Sequence, residues 1–159
     1  MPDIYQILKE LNIAYKRVDH ASVYTVADTE KMRNQISGLP CKNLFLRDSK
    51  GKKHWLVVTK VYKKVDLFKL SKKLGGERLS FASPERLKKY LELEPGAVSP
   101  FGIINDTKKE VIVVVDSEPL LNKQVSFHPN INTATLILAP QDFKKFLNWS
   151  QNKVKYIGI

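Results

Sequence analysis

At 159 residues, with 43% hydrophobic and 9% aromatic content, the chain has the length and composition of one α/β-type domain with one core, and no room for a second. A net charge of +11, from 27 Lys and Arg against 16 Asp and Glu, exceeds what solubility needs and favours an anionic partner, most commonly a phosphate backbone; the competing explanation is a solvated lysine coat. Cys41 is the only cysteine, which excludes an internal disulfide and zinc clusters built on cysteine pairs, and no apolar run nears the roughly 18 residues of a membrane span. A soluble, unprocessed protein of a reducing cytoplasm is therefore expected.

Pro2 and Asp3 suit a helix start, and Ile4, Ile7, Leu8 and Leu11 then share one face at helical spacing. A strand is expected over 14–19. Thr25 followed by Asp28 has the form of a capping box, opening a second helix with Val26, Met32 and Ile36 inward that ends near Gly38 and Pro40. The apolar runs 43–47 and 54–60, separated by Asp48-Ser49-Lys50-Gly51-Lys52, predict a hairpin. Asp66 can cap a helix carrying Leu67, Leu70 and Leu74 that stops at Gly75-Gly76, and Ser83-Pro84 starts another carrying Leu87 and Leu91. Residues 79–81 between them predict a short strand. Strands are expected over 102–105, 111–115, 124–127 and 135–138, before Pro140 opens a last helix with Phe143 and Leu147. No repeat or linker interrupts the order, so the pattern predicts a single α+β domain with a mixed, strongly curved sheet surrounded by helices.

Three segments carry chemistry. Lys42 and Asn43 stand at the rim of an apolar strand; a lysine with an ordinary pKa near 10.4 is there an anchor and charge stabiliser rather than a base, unless it is only a solvated strand-start lysine. Gly96 permits a backbone conformation closed to other residues, Ala97 adds no bulk and Pro100 fixes the exit, so Gly96-Ala97-Val98-Ser99-Pro100 can offer backbone amides to a carbonyl oxygen and a shallow wall to a small side chain. His128, in a polar loop between strands, can bond a substrate amine or an attacking water, or merely satisfy its own loop. His20 and His54 fit no chemical role, and three scattered histidines without clustered carboxylates give no metal site. Neither a G-x-S-x-G elbow, a recognisable Cys41 dyad nor a close carboxylate pair is present, and no P-loop or dinucleotide fingerprint implies a cofactor.

Taken in order, Cys41-Lys42-Asn43-Leu44-Phe45-Leu46, Gly96-Ala97-Val98-Ser99-Pro100-Phe101 and Phe127-His128-Pro129-Asn130-Ile131-Asn132-Thr133-Ala134-Thr135 resemble the free-standing prolyl-tRNA editing proteins, relatives of YbaK and of the prolyl-tRNA synthetase insertion domain. The resemblance spans nearly the whole chain and implies one domain over 1–159 with that family's pseudo-barrel sheet. It implies a trans-acting deacylase of alanyl-tRNA for proline, in which water attacks the aminoacyl ester, the terminal adenosine's vicinal hydroxyl assists and no cofactor takes part. The family's essential lysine, asparagine and histidine fall on Lys42, Asn43 and His128, its substrate loop on Gly96, Ala97, Val98, Ser99 and Pro100, and its acceptor-stem contacts on Arg47 and Arg78. The partners implied are the aminoacylated acceptor end of tRNA(Pro) and prolyl-tRNA synthetase, with no membrane, for a monomer. Related domains often place histidine after the loop proline; Phe101 stands there instead, which suits the alanine-editing branch. The alternatives are the branch that deacylates cysteinyl-tRNA for proline, whose loop is richer in glycine, and a tRNA-binding or synthetase-associated factor without activity.

Overall fold

Asp3 accepts the Tyr5 N–H at 2.9 Å and opens α1 (Ile4–Glu10), which buries Ile4, Ile7 and Leu8 and leads into β1 (Lys16–Asp19). The structure, a computed structural model, describes residues 3–22 and 39–159, so the expected helix on Thr25, Val26, Asp28, Met32 and Ile36 lies outside the described residues. The central hairpin follows as β2 (Leu39–Asp48) and β3 (His54–Lys60), in antiparallel register from Cys41 opposite Lys60 to Arg47 opposite His54. Asp48 closes it by accepting the Lys52 and Lys53 N–H groups at 2.8 and 3.1 Å.

Asp66 caps α2 (Leu67–Lys73) as its position predicts, and β4 (Leu79–Phe81) then pairs with the far end of β2. Ser83 caps α3 (Pro84–Leu91). The expected strand over 102–105 is instead a 3-10 helix, Pro100–Asn105. Its residues are apolar enough for a strand, but Ser99 accepts the Phe101 N–H at 3.1 Å, Pro100 presets the helical φ, and the Gly102 N–H returns to the Ser99 carbonyl at 3.0 Å. Gly102 must stay bare, because a Cβ there would lie 2.6 Å from Leu93 Cδ1.

The remaining elements are β5 (Val111–Asp116), a short 3-10 turn (Pro119–Leu121), β6 (Val125–Phe127), β7 (Ala134–Leu138), α4 (Pro140–Ser150) and β8 (Val154–Ile157). The last strand escapes the sequence pattern, since Lys153 and Lys155 give Val154–Ile157 the polarity of a tail; it is ordered by parallel pairing with β5. Among the described residues eight strands form one mixed, open sheet in the order β1-β7-β6-β2-β3-β5-β8, with β4 beside β2, and it does not close into a barrel.

Alternation along β2, β3 and β5 sorts side chains to two faces. Phe45, Leu56, Val58, Val113 and Val115 meet Ile7, Leu87, Phe101, Phe143 and Phe146 on one. Leu46, Trp55, Val57 and Val114 meet Leu70, Leu74 and Leu79 on the other.

Candidate active site

The polar end of β2 inherits this alternation. Asn43, in step with Phe45, faces the larger cluster; there its Nδ2 donates to the Val98 carbonyl at 3.1 Å, tying the strand to the Gly96–Pro100 loop. Its Oδ1 is buried and has no hydrogen-bond partner among the described residues. Lys42, in step with Leu44 and Leu46, faces the other way, and its ammonium donates to the carbonyl of Lys63. Burial lowers the Lys42 pKa from its ordinary value.

The segment carrying that carbonyl is itself held. Lys63 Nζ lies 2.6 Å from Asp116 Oδ2 and 2.5 Å from Glu118 Oε2, and Thr59, opposite Lys42 across the hairpin, donates its hydroxyl to Asp116 at 2.7 Å. Burial pushes the Asp116 carboxyl upward, but the hydrogen bonds from Lys63 and Thr59 outweigh it and hold the pKa below the usual carboxylate value. Asp116 is thus an ionised group spent on fixing Lys63, and Lys63 in turn places the acceptor for Lys42.

The loop has the conformation its composition suggests. Gly96 sits at φ +88°, the Ala97 N–H closes a turn on the Glu94 carbonyl at 3.1 Å, and Ala97, Ser99 and Pro100 are buried while Val98 is half-buried. Its far end is tied by a residue the sequence reading passed over. Asn130, held at φ +65° in the turn after His128, lies with Nδ2 3.4 Å from the Phe101 carbonyl, and its Oδ1 is buried without a partner. Two asparagines therefore grip one short loop at carbonyls three residues apart, each with an unused acceptor. Asparagine at the left-handed position of a polar turn was the available signal, because Asn tolerates φ > 0.

His128 Nδ1 lies 2.9 Å from the Ala134 carbonyl, which can only accept, so Nδ1 carries the hydrogen and Nε2 keeps its lone pair. Burial lowers the His128 pKa from 6.5, so the ring is neutral at neutral pH and an acceptor at Nε2. His20, assigned no chemistry from the sequence, packs beside it with ring centroids 5.9 Å apart; its Nδ1 donates to the Ala21 carbonyl and its Nε2 accepts from the Thr135 hydroxyl at 2.8 Å. Strand pairing of β1 with β7 makes this contact, and no local spacing could reveal it.

The remaining candidates lie apart. Five strand residues at about 3.3 Å each put Arg47 about 17 Å from Lys42. Its guanidinium folds back on the carbonyls of Asp48 and Ser49 at 3.0 and 3.1 Å. Arg78 is exposed beside β4 at the same end of β2; Glu77 bridges to Lys53 at 3.1 Å. Burial drives the Cys41 thiol up to about 12, so it is no thiolate nucleophile at neutral pH. Among the described residues no group of three His, Cys, Asp or Glu could hold a metal, and no helix is long and apolar enough to cross a membrane.

Residues 20–146 match the sequence profile of the aminoacyl-tRNA editing domain. The chain is 45% identical over 152 residues to the prolyl-tRNA editing protein ProX of Acetoanaerobium sticklandii, covering 96% of this chain and 93% of that protein. It is 32% identical to prolyl-tRNA synthetase associated domain-containing protein 1 of Danio rerio, covering 94% and 82%. The fold is that of a crystal structure described as a proposed trans-editing enzyme for prolyl-tRNA synthetase, with a TM-score of 0.72 at 18% identity over 98% and 94% of the two chains.

Proposed function

From a chain that belongs to the aminoacyl-tRNA editing domain family, we propose a trans-acting deacylase that hydrolyses alanine mischarged on tRNA(Pro). The observation that carries the reading is the pair of buried amide oxygens without a partner among the described residues, Asn43 Oδ1 and Asn130 Oδ1, on side chains that bond the middle of the Gly96–Pro100 loop and the residue just after it. An unpaired buried acceptor costs about 1–3 kcal/mol, so a donor-rich ligand that reaches these two oxygens would recover that cost. The α-ammonium of an aminoacyl ester is such a ligand. The neutral His128 Nε2 accepts from the same amine or from the attacking water.

The ester is already activated, so positioning and charge stabilisation suffice. The loop's turns use the N–H groups of Ala97, Phe101 and Gly102, and in this reading the N–H groups of Val98 and Ser99 between them would serve the carbonyl oxygen. Lys42 faces the other side of the sheet from Asn43, so one substrate would have to pass round the end of β2 to reach both, and there the N–H groups of Lys42 not used on the Lys63 carbonyl would hold the terminal ribose. Water attacks the ester carbonyl, and alanine and tRNA leave.

Ala97 adds little bulk to the loop, and a pocket built against it would be sized for one methyl group. A pyrrolidine ring overfills it, and overpacking costs about 1–3 kcal/mol, roughly 10- to 200-fold in rate. Release of labelled amino acid from alanyl-, cysteinyl- and prolyl-tRNA(Pro) tests this directly. Alanine is expected to leave fastest, with proline slower by that factor; faster release of cysteine moves the chain to the cysteine-editing branch, and comparable rates on alanine and proline reject size exclusion.

A further inference from the structure

On the face of the sheet to which Lys42 points, a cleft of about 530 Å³ opens between α2 and the end of the chain described, lined by Lys64, Asp66, Lys69, Lys72, Lys73 and Ile159 over a floor of Leu70. Its side chains are mostly cationic, four lysines against one acid. That acid, Asp66, accepts the Phe68 and Lys69 N–H groups at 2.9 and 3.1 Å as the helix cap. Lys73 donates to the neutral Gly158 carbonyl, and among the described residues none of the four lysines is in an ion pair. Lys69, Lys72 and Lys73 lie three and four residues apart on a helix of only seven residues, where like charges repel and cost stability unless a counter-charge is bound.

Beside the cleft, Phe68 is 68% exposed with Lys72 Nζ 4.6 Å above its ring, a cation and an open aromatic surface side by side. The cleft also adjoins the segment that holds Lys42. Lys64 follows directly on Lys63, whose carbonyl holds the Lys42 ammonium. Leu70 and Leu74 of α2 pack on the same sheet face as Leu44 and Leu46, the alternation partners of Lys42.

We infer that this cleft binds the phosphodiester backbone of the unpaired 3′ strand of an RNA, immediately upstream of the terminal sugar that Lys42 anchors, with Phe68 as a stacking surface for one base. Point charges on flexible stems suit a backbone of variable conformation, and an exposed ring suits any base. The inference rests on the deacylase reading for its terminal sugar, but the cleft is testable without it.

The probe is a fluorescent single-stranded RNA tetranucleotide with a free 3′-hydroxyl, titrated against the whole protein at several salt concentrations. Wild-type affinity is expected to fall with salt at a log-log slope of about −0.7 per phosphate bound. Lys69→Gln/Lys72→Gln removes two exposed charges without threatening the core and should weaken binding at least tenfold, reducing the slope by about 1.4. Phe68→Leu keeps bulk but loses the ring and should weaken it about tenfold. Unchanged affinity and slope in the double variant overturn the inference, as does equal competition by millimolar inorganic phosphate, which would mark a site for small anions. The hydrolysis assay on alanyl-tRNA(Pro) separates the two claims. A wild-type protein that binds the strand through these lysines but releases no amino acid from any aminoacyl-tRNA removes the deacylase reading alone; one that hydrolyses normally while the double variant binds RNA normally removes the cleft alone.

Discussion

The Lys42 ammonium donates to the Lys63 carbonyl and has further donors, and substituting it would separate an enzyme from a binding protein at one position. In the deacylase reading, Lys42→Ala lowers the single-turnover rate on alanyl-tRNA(Pro) by about 10²-fold or more, the cost typical of losing one preorganised donor. Binding of uncharged tRNA survives better, because phosphate contacts are spread over many residues. Lys42→Arg does not restore the full rate, since a planar fork replaces a compact ammonium beside the Lys63 carbonyl. A saturating-enzyme time course paired with tRNA binding measures both; a wild-type rate in Lys42→Ala reduces the residue to a staple at the strand end.

At the scale of elements, two devices position the candidate site: the 3-10 helix, which hangs the Gly96–Pro100 loop between Asn43 and Asn130, and the Lys63 segment, which is bolted to β5 through Asp116. Lys63→Met leaves the Asp116 carboxylate, itself 0% exposed, without its cation. The expected loss is about 3 kcal/mol, the low end for a broken buried pair because the lysine is partly solvated. Urea unfolding reads that loss. The functional consequence is read by a double-mutant cycle: if the segment acts by placing Lys42, the rate losses of Lys63→Met and Lys42→Ala are far from additive, whereas two independent effects would sum.

For the whole molecule, pH discriminates between buried groups. His54, 1% exposed, ties the hairpin to α3, stacking on Phe45 and lying 4.1 Å between ring centroids from Tyr90, with Arg86 Nη1 3.2 Å from its Nε2. Burial first, and the Arg86 guanidinium next, lower its pKa from 6.5 to about 4. The unfolded chain then binds more protons than the folded one between those values, so stability present above about pH 6.5 is lost as the pH falls toward 4. His128, also lowered by burial, acts in the same direction. Denaturation midpoints between pH 7 and pH 4 should fall steadily, and His54→Phe, which cannot protonate, should flatten that slope; an unchanged slope would mean that His54 is not the group that titrates.

Much of the architecture was present in local chemistry. Asp3, Asp66 and Ser83 mark three helix starts because a short side-chain oxygen satisfies the N–H groups a helix leaves free, and the alternating runs around Phe45 and Leu56 specify a hairpin because side chains on a strand change face at every residue. The segments of Lys42–Asn43, Gly96–Pro100 and His128 were recognisable in order along the chain for the same reason, each being a short string with its own composition. What the string could not contain was anything decided by elements far apart. Residues 102–105 have strand-like composition but are wound into a 3-10 helix begun by the Ser99 cap and Pro100, and β8 exists only because β5 offers it an edge. Lys42 and Asn43 are neighbours in sequence, yet strand alternation sends them to opposite faces, one toward the Lys63 carbonyl, the other toward the loop. The contact of His20 with His128, the grip of Asn130 on Phe101 and the bond from Asp116 to Lys63 all join residues across the fold, and only packing of the sheet with its helices brings such groups within hydrogen-bonding or ring-contact distance.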